Sequence, residues 1–203
     1  MTFDLEKIKK DIQKAENLQP VSLNKTSTAL QPRRMSKGPR TNFGKGTVFL
    51  CDTSGSMYGE KLYALKEAVH EFVEQDIKTY EFNSQVNLLT SVSQLFAVVA
   101  RGTTKMLAAL KTCYQDEPNN IIMITDGQPD ENKQDILDLA AEKQIPIQCI
   151  MLPSSDVDRK FLEDLCNASG GGIFTALTDI KLLGQTIAGL IEYKEEKKQV
   201  IQL

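Results

Sequence analysis

Residues 47–57 read TVFLCDTSGSM, a short apolar run that ends in an acid and two serines at alternate positions. The apolar half is rich in residue types that favour strands, so it predicts a buried β-strand. Directly after it the chain places Asp52, Ser54 and Ser56 on one tight loop, and a helical pattern begins at Glu60. In an open α/β sheet such a loop lies at the carboxyl edge of the strands, where ligands bind.

Strand and helix patterns alternate along the rest of the chain. Two strands joined at Asn83-Ser84-Gln85 predict an antiparallel hairpin, and residues 94–100 are ambiguous. The alternation predicts a doubly wound α/β fold of three layers, with a mostly parallel sheet, one antiparallel edge strand and helices on both faces. The predicted strands are 47–51, 78–82, 86–92, 120–125, 147–152 and 173–176, and the predicted helices are 60–75, 105–114, 132–143, 156–169 and 178 to about 193.

Charge divides the chain near Gly46. Residues 1–45 hold ten Lys or Arg against four Asp or Glu, a net charge of +6, whereas residues 46–203 carry a net charge of −9. The basic part contains a segment that is rich in Pro, Ser and Thr and too poor in apolar groups to form a core. We expect a short amphipathic helix over 1–17, a flexible basic linker over 18–45, the α/β domain over 46–194 and a charged extension over 195–203.

Composition excludes several classes of protein. The 203 residues are 41% hydrophobic and 25% charged, which is typical of a globular domain. No apolar run approaches the roughly 20 residues that cross a bilayer, so we expect no membrane span. Residues 1–10 are charged and lack the apolar segment of a secretory signal, so we expect a cytoplasmic protein.

Cysteine and histidine offer little chemistry in this chain. The cysteines do not have the spacing of a zinc site, and we expect all four to be buried free thiols. The single histidine, His70, lies in a helical pattern between two glutamates and predicts a solvated surface residue. A histidine-based metal site or catalytic triad is therefore excluded. The cysteines are Cys51, Cys113, Cys149 and Cys166.

Two further loops add oxygen ligands to the predicted binding edge. A second buried strand ends in Thr125-Asp126-Gly127, and Arg101-Gly102-Thr103-Thr104 precedes a helix. Carboxylates and hydroxyls without imidazole or thiolate form a hard oxygen site. The three loops together predict a site for Mg²⁺ or Mn²⁺ in preference to Ca²⁺.

The first loop has three other interpretations. Ser54 or Ser56 can simply cap a helix in a metal-free structural module. Asp52 can be the nucleophile of a Mg²⁺-dependent phosphohydrolase, although such an enzyme needs a second acid where Ser54 stands. A nucleotide-binding P-loop is excluded, because Glu60 occupies the place of its second glycine.

The three loops together resemble the von Willebrand factor type A (vWA) domain, over roughly residues 46–190. The segment Asp52-Thr53-Ser54-Gly55-Ser56-Met57 resembles the DxSxS sequence of that domain's metal ion-dependent adhesion site (MIDAS). Arg101 departs from the pattern, because related domains often have Gly there. The resemblance implies a Rossmann-like fold and a metal held by Asp52, Ser54, Ser56, Thr103 and Asp126, with Thr104 as the neighbouring competitor of Thr103.

The resemblance also implies a function. Domains of this family generally bind other proteins, and an acidic side chain of the partner completes the metal's coordination. The intracellular bacterial members that this chain resembles are adaptors in stress response, tellurium resistance or complexes with ATPases. An ATPase, kinase or phosphatase of the same pathway is the kind of partner implied, with no catalysis by this chain. The rim that meets the partner is predicted to include Met57, Tyr58, Thr104, Gln128 and Pro129.

The basic linker predicts two minor features. Arg33 and Arg34 precede Ser36 as basophilic kinases require, so Ser36 is a candidate phosphosite. Nucleic-acid binding is disfavoured, because the linker offers one aromatic residue, Phe43, and the following domain is acidic.

Overall fold

The computed structural model describes residues 46–75, 77–155 and 158–200, with side chains up to residue 191. Its strands follow the predicted apolar runs and are β1 Thr47–Asp52, β2 Thr79–Phe82, β3 Val86–Leu89, β4 Asn120–Thr125, β5 Ile147–Met151 and β6 Phe174–Ala176. They form one sheet in the order β3-β2-β1-β4-β5-β6. β3 pairs antiparallel with β2, and the other neighbours pair in parallel. The predicted fold class is therefore confirmed.

The two central strands end at the same height in the sheet. β1 and β4 are neighbours, and their register pairs Cys51 with Ile124. The next residues along the two strands are Asp52 and Thr125, so the first and third polar loops leave the sheet side by side.

Amphipathic helices cover both faces of the sheet. The first helix, α1 (Glu60–Glu74), for example, buries Leu62, Leu65, Val69 and Val73 at helical spacing. Two 3-10 turns, Gly55–Met57 and Ile180–Leu182, precede α1 and the last helix, α6 (Leu183–Val200). The helices are α1 Glu60–Glu74, α2 Val92–Ala97, α3 Met106–Tyr114, α4 Lys133–Lys143, α5 Arg159–Ala168 and α6 Leu183–Val200.

Alternation along the strands divides the core into two clusters. Val48 and Leu50 of β1 pack on one face with α3, α4 and α5. Phe49 and Cys51 pack on the other face with α1, α2 and α6. Every residue of β4 is buried, as expected for a central parallel strand covered on both sides.

The structure differs from the predicted elements at two places. β3 ends at Leu89, and the ambiguous segment that follows forms α2, because the hydroxyl of Ser91 accepts the N–H of Gln94 at 3.2 Å and caps the helix. The last helix begins at Leu183 and continues to Val200, past the predicted domain end at residue 194.

Two predicted regions, the helix over 1–17 and the linker over 18–45 with Ser36 and Phe43, lie outside the described residues. Within the described part of the chain, no helix is both long enough and apolar enough to cross a membrane.

Candidate functional site

Asp52 fastens the first loop to the sheet. Its side chain is fully buried at the end of β1. One carboxylate oxygen accepts the backbone N–H of Ser54 at 2.8 Å, and the other accepts the hydroxyl of Thr125 at 2.6 Å. The carboxylate therefore ties the end of β1 to the end of β4 and turns the chain toward the two serines.

The two serine hydroxyls connect the first loop to Asp126. The Oγ atoms of Ser54 and Ser56 lie 3.1 Å apart, and the Ser56 hydroxyl donates to Oδ1 of Asp126 at 2.7 Å. Neither the 3-10 turn nor α1 has a side-chain cap at its start. The helix-capping interpretation of the serines is therefore wrong, and the structure brings Asp52, Ser54, Ser56 and Asp126 together as predicted.

The second loop directs its two threonines to different places. Thr103 is exposed, and both its N–H and its hydroxyl contact Oγ of Ser84, at 3.0 and 3.1 Å. Thr104 is buried next to Gly127: a Cβ placed on Gly127 would lie 3.5 Å from Oγ of Ser56 and 3.7 Å from Oγ1 of Thr104. The hydroxyls of Thr104 and Ser56 thus both lie beside Gly127, whereas Thr103 contacts Ser84.

Backbone hydrogen bonds hold the first and second loops together. The N–H of Gly55 donates to the carbonyl of Gly102 at 3.1 Å, and the N–H of Arg101 donates to the carbonyl of Thr53 at 3.0 Å. Gly102 adopts a φ of +71°, and a Cβ there would overlap the hydroxyl of Ser84. The glycine that this loop requires is thus Gly102, and Arg101 contributes its backbone.

Lys61 contacts Asp126 directly and was missed in the sequence. Its Nζ forms an ion pair with Oδ2 of Asp126, whose side chain is fully buried, and donates to the carbonyl of Ser56 at 3.2 Å. Its position in the first turn of α1, one turn after the DxSxS segment, is the signal that could have indicated it. The site therefore already contains a cationic group.

A buried acid on β2 supports the first loop from behind. Glu81 is 7% exposed, and its Oε2 accepts from the hydroxyl of Thr53 and from Nδ2 of Asn83. Its Oε1 accepts from Nδ2 of Asn87 at 2.6 Å. Since Thr53 lies between Asp52 and Ser54, this network fixes the backbone that carries both candidate ligands. The sequence signal was a lone acid inside the apolar strand TYEF.

Only part of the predicted rim is available to a partner. Tyr58 is 80% exposed, and Gln128 is exposed and accepts from Nζ of Lys133 at 3.1 Å. Met57 is fully buried in the core beneath α1, and Pro129 is also buried. The rim prediction is therefore wrong for Met57 and Pro129, whose apolar side chains pack inward.

Cysteine and histidine contribute no additional ligands to this site. All four cysteines are free and buried, as predicted. His70 is partly buried on α1, where its Nδ1 lies 2.7 Å from the carbonyl oxygen of Glu67. Among the described residues no three His, Cys, Asp or Glu side chains form a metal cluster, and the candidate site combines two carboxylates with hydroxyls instead.

Burial dominates the electrostatics of Asp52. It raises the pKa of this carboxyl from 3.8 to about 6, and the nearby charge of Asp126 acts in the same direction. Hydrogen bonds from Thr125 and Ser54 oppose the rise in pKa. The metal-free domain therefore holds a carboxyl that is costly to ionise and that a cation would stabilise.

This pKa predicts how the stability of the metal-free protein depends on pH. Asp52 binds a proton more tightly in the folded than in the unfolded chain, so its contribution is complete below about pH 4 and is lost as pH rises through about 6. In chelator, the free energy of unfolding of the wild type relative to Asp52→Asn should fall by about 3 kcal/mol between pH 4 and 7.5. Urea titrations across this range measure the difference, and a pH-independent difference would contradict the prediction.

Comparisons with known proteins identify the family of this fold. The von Willebrand factor type A domain family matches residues 75–173. A vWA protein structure from Catenulispora acidiphila superposes with a TM-score of 0.61 and 22% identity, covering 71% of this chain and 41% of that one. The chain contains a von Willebrand factor type A domain. The family match covers the second and third loops of the vWA domain, and the structure adds the first.

Other relatives of this vWA domain are larger proteins. The human von Willebrand factor A domain-containing protein 3B is 28% identical over 144 residues, which cover 60% of this chain and 11% of that protein. Proximal thread matrix protein 1 of the mussel byssus, in a structure with a zinc-occupied MIDAS motif, has 16% identity and a TM-score of 0.55. That match covers 73% of this chain and 47% of the mussel chain. This vWA chain thus spans about a tenth of the human relative and less than half of either structure.

Proposed function

We propose that this vWA domain is a non-catalytic protein-binding module in which a divalent cation captures an acidic side chain of a partner protein. The observation that carries the proposal is the meeting of two buried carboxylates with serine and threonine hydroxyls at the carboxyl edge of the sheet. The carboxylates belong to Asp52 and Asp126 and approach from two different strands. The edge at which they meet is where open α/β sheets bind ligands.

The residues of this site fit a hard divalent cation. Oxygen ligands without imidazole or thiolate suit Mg²⁺ or Mn²⁺, and Ca²⁺ less well because it takes more ligands. The Lys61 ammonium also supports a cation site, since its Nζ contacts two oxygens of the site, the carbonyl oxygen of Ser56 and Oδ2 of Asp126. We propose Thr104 in place of Thr103 as the threonine ligand because of its position beside Gly127. The proposed ligands are Asp52, Ser54, Ser56, Thr104 and Asp126.

A cation in this site would supply an electrophilic centre. Hydroxyl ligands are neutral, so they leave much of the metal's positive charge available to a carboxylate from outside. Tyr58 is 80% exposed directly after the first loop and offers an aromatic surface to the same partner. The resemblance to intracellular relatives supports a cytoplasmic adaptor in stress response, with an ATPase, kinase or phosphatase as the partner.

The arrangement of Asp52 disfavours the phosphohydrolase alternative. A nucleophilic carboxylate must present an oxygen to the phosphorus atom. The Asp52 side chain is fully buried, and its oxygens accept from Ser54 and Thr125. Ser54 also stands where the second acid of such an enzyme is needed.

A Mn²⁺ titration followed by water-proton relaxation tests both halves of the proposal. We expect wild-type protein to raise the relaxivity of added Mn²⁺, because a bound ion that keeps a water ligand tumbles with the protein. Addition of a short glutamate peptide should then lower the relaxivity as its carboxylate replaces that water. Asp126→Asn should abolish the first effect because it removes a charged ligand.

The adjacent threonines give a matched control for this experiment. Thr104→Val should weaken Mn²⁺ binding at least about tenfold. Loss of a residue that only supports a metal ligand already costs about 10–100-fold in affinity. Thr103→Val should leave the affinity unchanged, since Thr103 contacts Ser84. No enhancement in wild-type protein or in Lys61→Met, which lacks the ammonium beside Asp126, would refute the metal site, and enhancement without an effect of peptide would refute capture of an acid.

A further inference from the structure

The ion pair between Lys61 and Asp126 has an unusual environment. The Asp126 side chain is fully buried, whereas the Lys61 side chain is 23% exposed. Lys61 lies in the first turn of α1, and its Nζ reaches back over the 3-10 turn to the carbonyl of Ser56 at 3.2 Å. The ammonium therefore contacts one proposed metal ligand and the backbone of another.

This ammonium neutralises a charge that has no access to water. A buried carboxylate is costly without a countercharge, and Lys61 supplies one in the metal-free protein. A divalent cation bound to Asp126 would supply the same countercharge more strongly. The two cations would then repel each other across a few ångströms in a partly desolvated site, so both cannot occupy it favourably.

We propose that Lys61 is an intrinsic competitor of the divalent cation: its ammonium holds Asp126 when metal is absent and is displaced when metal binds. Lys61 thereby sets the metal affinity of the site and keeps the metal-free loops folded. The inference rests on the proposed function, because it assumes that Asp126 is a metal ligand. Lysine suits the role, since its flexible stem lets a strongly hydrated head group move into solvent.

The lysine side chain can leave the site without disturbing the core. Its exposed fraction shows a path to solvent, and the apolar residues that α1 buries are others: Leu62, Leu65, Val69 and Val73. Displacement of Lys61 therefore requires a change of side-chain rotamers and leaves the helix in place.

Calorimetric Mn²⁺ titration of Lys61→Met, with thermal unfolding in chelator, tests the inference. Methionine keeps an unbranched stem as long as the four carbons of lysine and removes the ammonium with its charge. We expect the variant to bind Mn²⁺ about tenfold more tightly than wild type, because the competing charge is gone. We also expect its melting temperature in chelator to fall below that of wild type and to recover when Mn²⁺ is added.

Two control variants separate this effect from a change in net charge. Lys111→Met removes a charge from an exposed position of α3 and should leave both readouts unchanged. Lys61→Arg keeps the charge and should bind Mn²⁺ with affinity close to that of wild type.

The outcomes distinguish the inference from the function on which it rests. If wild type binds Mn²⁺ and Lys61→Met binds it no more tightly, the competitor role is refuted and the metal site stands. If the variant binds and wild type does not, both proposals are supported, with Lys61 the stronger competitor. If neither binds, the metal site is refuted and the inference with it.

Discussion

Gly172→Ala is expected to lower the free energy of unfolding by about 3–5 kcal/mol, the largest loss of stability that we predict for a single methyl group. A Cβ on Gly172 would overlap the carbonyl oxygen of Ile147 and lie 2.7 Å from its carbonyl carbon. Both atoms belong to the backbone at the start of β5, so neither can move as a flexible side chain would. The chain enters β6 directly after this contact, and the substitution would push β6 away from β5.

Chemical denaturation of Gly172→Ala beside Gly189→Ala measures the effect. Gly189 lies in α6, and a Cβ there meets nothing within 4 Å. This control should be neutral or gain about 0.5–1 kcal/mol from better helix propensity. Stability of Gly172→Ala within 1 kcal/mol of wild type would contradict the close approach of the two backbones.

Much of the fold is predictable because local pattern and tertiary environment agree. The runs at 120–125 and 147–151 are mostly apolar, as is typical of strands covered on both faces. The hairpin of β2 and β3 also follows from its short polar turn. The predicted end of β3 at Val92 is wrong because Thr90 and Ser91, which separate Leu89 from Val92, are short polar residues that also occur in strands, and only the cap at Ser91 marks the helix.

The candidate site is predictable only as far as topology determines it. The carboxyl ends of adjacent parallel strands must meet, so Asp52 and Asp126 could be paired from the sequence alone. The choice between Thr103 and Thr104 depends on backbone conformation. Gly102 at a φ of +71° directs Thr103 to Ser84 and leaves the next threonine to face the site.

Residues that reach the site from other elements could not be found by spacing. Lys61 belongs to a helix and reaches the third loop through a long side chain, a contact that no local pattern encodes. Met57 follows the first loop in sequence, yet the 3-10 turn rotates it into the core while its neighbour Tyr58 remains exposed.

Glu81→Ala should have the second largest effect and should act on both stability and the site. The substitution removes the acceptor for the hydroxyl of Thr53 and for the amides of Asn83 and Asn87. Each buried donor left without a partner costs about 1–3 kcal/mol. Asn87 is exposed and can bond to water, the Thr53 hydroxyl keeps the carbonyl of Phe82 at 3.2 Å, and Asn83 keeps its contact with Thr53 at 3.0 Å, so we expect a total loss of about 2–3 kcal/mol.

The same substitution should weaken Mn²⁺ binding although Glu81 contacts no proposed ligand. Thr53 separates Asp52 from Ser54, and the carbonyl of Asn83 accepts the N–H of Lys105 at 3.0 Å in the second loop. Loss of Glu81 therefore loosens the first and second loops together. A supporting residue of this kind is worth about 10–100-fold in metal affinity.

Three variants make this expectation testable even if Glu81→Ala folds poorly. Glu81→Gln keeps the shape and one acceptor, so its losses of stability and of Mn²⁺ affinity should lie between wild type and Glu81→Ala. Glu142→Ala removes an acid whose side chain is 68% exposed and should change neither quantity. If Glu81→Gln lost stability while keeping full Mn²⁺ affinity, the carboxylate would support the fold without positioning the ligands, and only the stability half of the prediction would survive.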